Sequence, residues 1–507
     1  MDPDTAVEIE RKYTVGDGTV LPALGDLPGV RDVDPPVEQD LKATYFDTED
    51  LVLAGHGITL RRRRGGEDAG WHLKVPEGPD GRREIHEPVH GRQQRVPEEL
   101  LRLVRVHVRA KPVKPVAKVS TRRSVYRLRG NDGVLAEVCD DQVRSEAEGG
   151  ALMGAWREWE VELVAGDRTL LDAAGDLFVA AGASPSGHAS KLARALGDHP
   201  VHREPEPPSA GLDEPASAVL LGYLHEHAGH LKLQDPLVRG HAPDAIHQMR
   251  VATRKLRSAL ATYRKLLDPE ATNRLRGELK WLAGVLGEAR DAEVMRDRLA
   301  EMVANEPGEL VMGPVAQRIG EELGATYTAA REWVLHAMDG ARYFGLLDAL
   351  DGFLEDPPLR GKASRPARKA VPKLVERDAK RLRRDVLATV PTSEGDHDAA
   401  LHDLALHEAR KSAKRLRYAA ESAIPLFGKR AERLAKASHR IQKILGHHQD
   451  SVVARDILRG LGAGATGNAE NGFSYGRLHA LEQAIAAESE AAFRKAWKRF
   501  PTTKLKI

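Results

Sequence analysis

Alternation of ionic and apolar side chains, recurring in short runs through the first third of the chain, limits most what this sequence can fold into. Val7-Glu8-Ile9-Glu10-Arg11-Lys12-Tyr13 is the first run. In a strand, residues two apart share a face, so Glu8, Glu10 and Lys12 point one way and Val7, Ile9, Arg11 and Tyr13 the other. Thr59-Leu60-Arg61-Arg62-Arg63-Arg64 likewise places Arg61 and Arg63 together. Trp71-His72-Leu73-Lys74, Arg83-Glu84-Ile85-His86-Glu87 and Lys118-Val119-Ser120-Thr121-Arg122-Arg123 follow, and Val134-Leu135-Ala136-Glu137-Val138-Cys139-Asp140-Asp141 and Trp159-Glu160-Val161-Glu162-Leu163 close the series. Many short strands of this kind fit a barrel with a charged lumen and an outside packed on helices. A solvated edge strand with its charges outward has the same local pattern. Acidic strands at both ends of the series and basic strands between them favour the lumen.

Two carboxylates and an ammonium aimed into one space are costly unless something charged is bound there. Hard oxygen ligands suit Mg²⁺ or Mn²⁺, and a lysine suits a phosphate. Glu8-x-Glu10-x-Lys12, Tyr45-Phe46-Asp47-Thr48, Leu60-Arg61-Arg62-Arg63, Trp71-x-Leu73-Lys74, Thr121-Arg122-Arg123-Ser124, Glu160-x-Glu162 and Ser190-Lys191-Leu192 occur in that order. Over about residues 4–197 this set resembles the CYTH domains, the triphosphate tunnel metalloenzymes. The resemblance implies an eight-stranded antiparallel tunnel that hydrolyses or cyclises triphosphates with a divalent metal. It implies that Glu8, Glu10, Glu160 and Glu162 face the metal, joined by an acid from Glu137, Asp140 or Asp141, with Glu137 and Asp141 taken as the candidates. Arg61, Arg63, Lys74, Arg123 and Lys191 would grip phosphate oxygens, as would Lys12. Lys12 with Tyr45 would orient or deprotonate the attacking water.

The rest of the chain is different in kind. Residues 1–200 hold 28 Lys and Arg against 34 Asp and Glu, whereas the remaining 307 hold 49 against 41, so the C-terminal part is the cationic one. Pro200-Val201-His202-Arg203-Glu204-Pro205-Glu206-Pro207-Pro208 reads as a stiff linker. Beyond it strand alternation disappears, and Leu, Ala, Arg and Glu recur at helical spacing, as in residues 216–233 and 243–267. Glu355-Asp356-Pro357-Pro358-Leu359-Arg360-Gly361 divides this region in two, and the Gly- and Asn-rich residues 460–476 read as a loop. The single Cys139 excludes an internal disulfide and suits a reducing cytoplasm. No apolar run reaches the roughly 18 residues of a membrane span, and the N-terminal residues lack the pattern of a signal peptide.

The two halves of the helical region repeat one another. Ile246-His247-Gln248-Met249-Arg250-Val251-Ala252-Thr253-Arg254-Lys255-Leu256-Arg257 matches Leu406-His407-Glu408-Ala409-Arg410-Lys411-Ser412-Ala413-Lys414-Arg415-Leu416-Arg417 at an offset of 160. Leu286-Gly287-x-x-x-Asp291 matches Leu445-Gly446-x-x-x-Asp450 at an offset of 159. On a helical projection His247, Arg250, Arg254 and Arg257 fall within about 80° of one another. Met249, Ala252, Leu256, Ala259 and Leu260 lie opposite. His407, Arg410, Lys414 and Arg417 form the second stripe. An ordinary solvated helix face mixes signs, because like charges one turn apart repel; each stripe here is basic throughout. Over about residues 214–500 the pattern resembles the CHAD domain, the conserved-histidine α-helical domain, which implies two pseudo-symmetric four-helix bundles lining a basic channel that binds inorganic polyphosphate. Within that resemblance the two stripes are the expected phosphate contacts. Lys280 and Arg290 join them from the next helix, and Lys255, Lys411 and Arg415 sit beside them. Gln449 stands where the first copy has Arg290, so unequal contributions are expected, with Asp291 and Asp450 holding basic side chains in place. The histidine pairs His225/His227 and His447/His448 have poor spacing for shared metal ligation on a helix.

The expectation is thus a multi-domain α+β chain. Residues 1–199 form an eight-stranded antiparallel β-tunnel with flanking helices, 200–213 a proline-rich linker, and 214–507 an all-α domain with repeats at about 214–355 and 372–507. The expected activity is metal-dependent hydrolysis of inorganic triphosphate or short polyphosphate, with Mg²⁺ or Mn²⁺ as cofactor. Long-chain polyphosphate is the expected partner of the helices, in the cytoplasm on polyphosphate granules, with no membrane. The alternatives are a class IV-type adenylyl cyclase, for which no adenosine pocket is evident, and a non-catalytic polyphosphate-binding or targeting protein, for which paired metal-facing carboxylates have no use. Nucleic acid is disfavoured by the absence of interleaved aromatics for base stacking.

Overall fold

A computed structural model describes residues 4–77, 81–89, 95–147, 151–197, 199, 206–390, 399–467 and 471–505. The chain separates into two compact units, Met1–Glu204 and Pro205–Ile507. Residues 200–205 of the expected linker lie outside the described residues.

The first unit contains β1 (Asp4–Val15), β2 (Asp32–Val33), β3 (Val37–Asp47), α1 (Val52–Gly55), β4 (Thr59–Arg64), β5 (Gly70–Glu77), β6 (Gly81–Pro88), α2 (Glu98–Val108), β7 (Lys114–Arg129), β8 (Val134–Ala147), β9 (Leu152–Leu163), α3 (Arg168–Ala180), β10 (Ser184–Pro185) and α4 (Lys191–Leu196). Eight antiparallel strands run in the order β1-β6-β5-β4-β3-β7-β8-β9 and close, β9 pairing back onto β1; the two-residue strands β2 and β10 are appended to β7 and β1. Closure leaves no free edge and separates two faces by the period of two. The outward residues supply the apolar cores. Leu60, Trp71, Leu73 and Ile85 pack with Leu100, Val104 and Val108 of α2. Tyr13, Val138, Trp159 and Val161 pack with Leu170, Ala174 and Phe178 of α3. Polar side chains on the other face have only the lumen to enter.

Two of the ordered motifs are structural. Asp47 is fully buried and accepts backbone N–H bonds from Thr48 at 2.7 Å and from Leu53 and Ala54 at 2.9 Å, pinning α1 to the end of β3. Ser190 caps α4 by accepting from the Ala193 N–H at 3.0 Å. Leu192 and Leu196 of α4 then pack on Ala43, Tyr45, Val119 and Val143.

The second unit contains α5 (Ala216–Arg239), α6 (Ala245–Thr262), α7 (Pro269–Ala304), a 3₁₀ turn (Gly308–Leu310), α8 (Val315–Asp339), α9 (Ala341–Glu355), α10 (Ala367–Leu387), α11 (Ala399–Glu421), α12 (Ile424–Gly467) and α13 (Phe473–Lys498). The duplication is visible as a pseudo-dyad: α5 meets α10, α6 meets α11 and α7 meets α12. Pro215 and Pro366, which precede the first helix of each repeat, bridge each other. The distal halves of α7 and α12 share one apolar core with α8 and α13, through Leu299, Ile319, Leu458 and Leu478. Helix α9 is the addition in repeat one, packing on α5, α7 and α8. No helix among the described residues is long and apolar enough to cross a membrane.

The loop expected at residues 460–476 is largely helix: α12 continues to Gly467 and α13 starts at Phe473. Packing overrides glycine's low helix propensity here. Leu461 and Ala465 are buried in the shared core, and a Cβ on Gly462 would meet Tyr475 at 3.3 Å, so the glycine admits α13 at close range.

The α6/α11 junction is held by ionic capping. Arg415 on α11 donates to the Ala261 carbonyl at 2.8 Å and pairs with buried Asp378 at 3.0 Å, which also accepts from Thr262 Oγ1 at 2.6 Å. Asp378→Ala leaves Arg415 without its counter-charge and is expected to cost about 3 kcal/mol, as for other buried pairs that lose one partner. A lowered urea midpoint for the helical transition checks this.

Candidate functional site

The strand register sets the order of charges inside the barrel. Across β1, β9 and β8 the cross-strand partners are Glu10–Glu162–Glu137, then Lys12–Glu160–Cys139, then Thr14–Glu158–Asp141. Across the opposite wall Tyr45 partners Arg61, Arg61 partners His72, and Lys74 lies between Thr59 and Glu84. An acidic wall therefore faces a basic one around a cavity of about 330 Å³, lined by Glu8, Glu10, Lys12, Tyr45, Arg61, Arg63, Lys74, Arg123, Glu137, Glu160, Glu162 and Lys191 among others.

Two ionic groups divide the lumen. At the α4 end, Asp141, Glu158 and Glu160 bring carboxylate oxygens within 4.8 Å of one another. Arg123 bonds Asp141 at 2.6 and 2.8 Å and Glu160 at 2.5 Å; Lys191 reaches Asp141 and Glu158 at 2.8 Å and Glu160 at 2.6 Å. Lys12 bridges Glu10 and Glu160, both at 2.5 Å. Burial alone would raise Glu160 and Asp141, but these cations outweigh it and hold both carboxyls down. Burial also opposes the charge on Lys12, but Glu10 and Glu160 outweigh it and raise the ammonium further.

The other group is short of positive charge. Glu8 contacts Lys74, and Lys74 is 3.7 Å from Glu84. Burial and the hydrogen bond with Glu84 push Glu8 up to about 8, and burial raises Glu162 as well. Glu10 stays below its usual value, burial being outweighed by Lys12 and Lys74. Adjacent carboxylates on neighbouring strands repel, and the hydrogen bond that pushes Glu8 up pulls Glu84 down, the two sharing Lys74. An all-oxygen donor set of this kind fits a hard divalent ion. On the basic wall, burial together with Arg61 and Arg123 pushes Arg63 down although it pairs with Asp68, whereas burial of Arg61 is outweighed by Tyr45 and Glu84, which raise it.

Register also separates Asp140 from Asp141. Asp141 turns inward to Arg123, while Asp140 pairs on the outer face with Arg157 at 2.6 Å. Glu137 lines the cavity and bonds Arg127 at 2.9 Å. Tyr45 is buried beside Arg61, to which it is hydrogen-bonded. Several inward-facing residues are absent from the sequence-derived set, among them Arg82, Glu84, Asp68, Arg127, His72 and Glu158. Glu84 bonds His72 Nδ1 at 2.8 Å and lies 3.7 Å from Arg61. The signal was present, since Arg82-x-Glu84-x-His86 flanks outward Ile85 and Glu158 is one strand period before Glu160.

In the helical unit the two basic stripes converge. Met249, Ala252, Leu256, Ala259 and Leu260 are buried on the far side of α6. Lys414 lies so close to Arg254, Arg410, Arg250 and Arg257 that, after burial, their charges hold its ammonium well below the ordinary value. Lys414 and Arg257 have no ion-pair partner among the described residues, and His247 feels the charge of Asp244. Burial and Arg290 lower His247; burial also lowers His407, whose Nδ1 meets Gln449 at 2.6 Å. The repeated Leu-Gly-x-x-x-Asp segment is explained by Arg250, which passes over Gly287 and donates to Asp291 at 2.8 Å. Arg410 likewise lies over Gly446 and near Asp450. The repeats differ at Arg417, which pairs with Glu421 at 2.6 Å. Lys280 is exposed and Arg290 pairs with Glu293 at 2.6 Å; Arg276, outside the expected set, is the α7 residue whose charge reaches Arg257. Lys255, Lys411 and Arg415 have acidic partners, Glu421, Glu408 and Asp378.

Comparison with known proteins agrees with both halves. The CYTH domain family model matches residues 6–195 and the CHAD domain family model residues 222–459. An uncharacterized protein of Mycobacterium tuberculosis is 39% identical over 514 residues, covering 97% of each chain. Among solved structures, PptA from Streptomyces chartreusis is 22% identical, with 56% of this chain and 99% of that one covered and a TM-score of 0.46. The CHAD domain from the plant Ricinus communis is 26% identical over 59% of this chain and 96% of its own, with a TM-score of 0.44. The chain belongs to the CYTH family, that of the triphosphate tunnel metalloenzymes, in its barrel and to the CHAD family in its helices.

Proposed function

We propose that the barrel hydrolyses inorganic triphosphate or short polyphosphate with Mg²⁺ or Mn²⁺, and that the helical unit binds long inorganic polyphosphate, in the cytoplasm on polyphosphate granules. The observation that carries this reading is the closed lumen in which Glu8, Glu10, Glu160 and Glu162 face Arg61, Arg63 and Lys74. A triphosphate carries about four negative charges near neutral pH, and phosphoryl transfer needs positioning and charge stabilisation more than covalent chemistry.

Arg61, Arg63 and Lys74 bind the phosphate oxygens from the basic wall. Arg123 and Lys191 are held rigidly by Asp141, Glu158 and Glu160, so they meet developing charge without reorganising. Lys12, kept charged between Glu10 and Glu160, orients the attacking water and donates to the transferring group; an ammonium so held does not take the water's proton. Glu8, Glu10, Glu160 and Glu162 would hold the divalent cation, which supplies charge neutralisation and a water of lowered pKa. The test is phosphate release from triphosphate, ATP and long-chain polyphosphate, with Mg²⁺, Mn²⁺ or chelator. Fast release from triphosphate, lost with chelator, is expected. Absence of release from all three overturns the hydrolase reading.

Polyphosphate binding is expected to take up protons. Burial and neighbouring cations hold His247, His407 and Lys414 below their ordinary values in the free protein. A polyanion alongside raises all three, so affinity grows as pH falls into the window between the free and bound values. Calorimetry in two buffers of different ionisation enthalpy measures the uptake, which His247→Gln with His407→Gln reduces.

A further inference from the structure

Helix α5 carries a cluster that neither the barrel chemistry nor the basic stripes use. His225 and His227 diverge on the helix, but His227 and His230, one turn apart, converge. Their Nδ1 atoms are 3.4 Å apart, and Glu226 Oε1 is 3.7 Å from His227 Nδ1. All three ligand atoms lie within 4.8 Å of one another. The geometry points to a Zn²⁺ site on α5, with His227 Nδ1, His230 Nδ1 and a Glu226 carboxylate oxygen as ligands and water in the fourth position.

The spacing is compatible with a metal bite. Two nitrogens each about 2.05 Å from a tetrahedral Zn²⁺ lie about 3.3 Å apart. An N–H donor more often sits about 2.9–3.0 Å from its acceptor, so 3.4 Å is long for a hydrogen bond and close to the tetrahedral bite. The His227 imidazole is 1% exposed and fixed by Tyr223, whose ring meets it edge-on at 4.2 Å. Its Nε2, on the ring edge away from the ligand nitrogen, is buried without a hydrogen-bond partner. An imidazole so enclosed has no solvent to compete for its other nitrogen. The Lys255 charge, which opposes a cation, is directed to Glu421 at 3.6 Å. Glu226 and His230 are exposed, which provides the entry path and room for water.

Two imidazoles and a carboxylate select zinc over the hard ions that an all-carboxylate site takes. The α5 site is therefore separable from the barrel by metal preference. Bound Zn²⁺ joins adjacent turns of α5 and stabilises the helical unit by mass action.

The experiment uses the full chain. Zn²⁺ affinity is read by competition with a chromophoric chelator, and Co²⁺ is used as a spectroscopic probe of geometry. His230→Ala and Glu226→Gln alter exposed positions and leave the core intact. The expected result is one Zn²⁺ bound in the presence of excess Mg²⁺, with intense tetrahedral Co²⁺ bands. His230→Ala is expected to weaken Zn²⁺ by more than about 10-fold, the loss that even an outer-sphere partner can cause, and to abolish those bands. Equal Zn²⁺ affinity in the wild type and His230→Ala, or only weak octahedral Co²⁺ bands, overturns the proposal.

Discussion

Glu10→Gln is expected to lower metal-dependent phosphate release from triphosphate by about 10³-fold, the several kcal/mol that a positioned metal supplies, while leaving long-chain polyphosphate binding unchanged. The substitution keeps size and hydrogen bonding but removes one charge from the Glu10–Glu162–Glu137 row. Lys12 loses one of its two carboxylate partners and keeps Glu160 at 2.5 Å, so the barrel retains an anchor at that point. The neutral amide is a poor ligand for a hard divalent ion, and Glu8 and Glu162 resist ionisation without one. Retained turnover at saturating Mg²⁺ or Mn²⁺ would remove Glu10 from the metal set. Unchanged polyphosphate affinity in the same variant shows that the loss is local to the barrel.

What could be read from the sequence follows from which signals are periodic. The strands announced themselves because a closed barrel gives every residue one of two fates, so Leu60 and Arg61 had to part company whatever their neighbours did. The same rule would have placed Glu84 and Glu158 in the lumen, had it been applied along whole strands instead of around motifs. Asp140 and Asp141 resisted because two acids in sequence satisfy either phase. Only the pairing of Asp141 with Arg123 across β7 and β8 decides between them. The helical duplication was legible because two copies share a pattern that chance does not repeat. Its asymmetries were legible in the same way: Gln449 stands in place of Arg290, and Glu421 follows Arg417 by one helical turn where the first copy has Ala261. The α12/α13 junction was misread because local glycine content says loop, while the decisive contact, Tyr475 against Gly462, is tertiary.

Arg254→Glu combined with Lys414→Glu is expected to weaken long-chain polyphosphate binding by about 10³-fold, two charge-assisted contacts being worth about 2 kcal/mol each. Triphosphate hydrolysis is expected to continue at the wild-type rate. These two positions are chosen because they sit where the stripes meet: the Lys414 charge is felt with those of Arg254, Arg410, Arg250 and Arg257, and it has no carboxylate of its own among the described residues. A cluster of like charges half-removed from water is unstable alone, so the free protein is strained in the direction that an extended polyanion relieves. The glutamates placed there would find Arg250, Arg257 and Arg410 as partners. The variant should therefore fold at least as well as the wild type, and lost affinity could not be ascribed to unfolding. Binding must be compared at fixed salt, because each neutralised phosphate contributes to a steep salt dependence. The variant should also show a shallower slope of log affinity against log salt, reporting the contacts removed. Unchanged long-chain affinity in a folded variant would mean that the duplicated helices carry their basic faces for something other than polyphosphate.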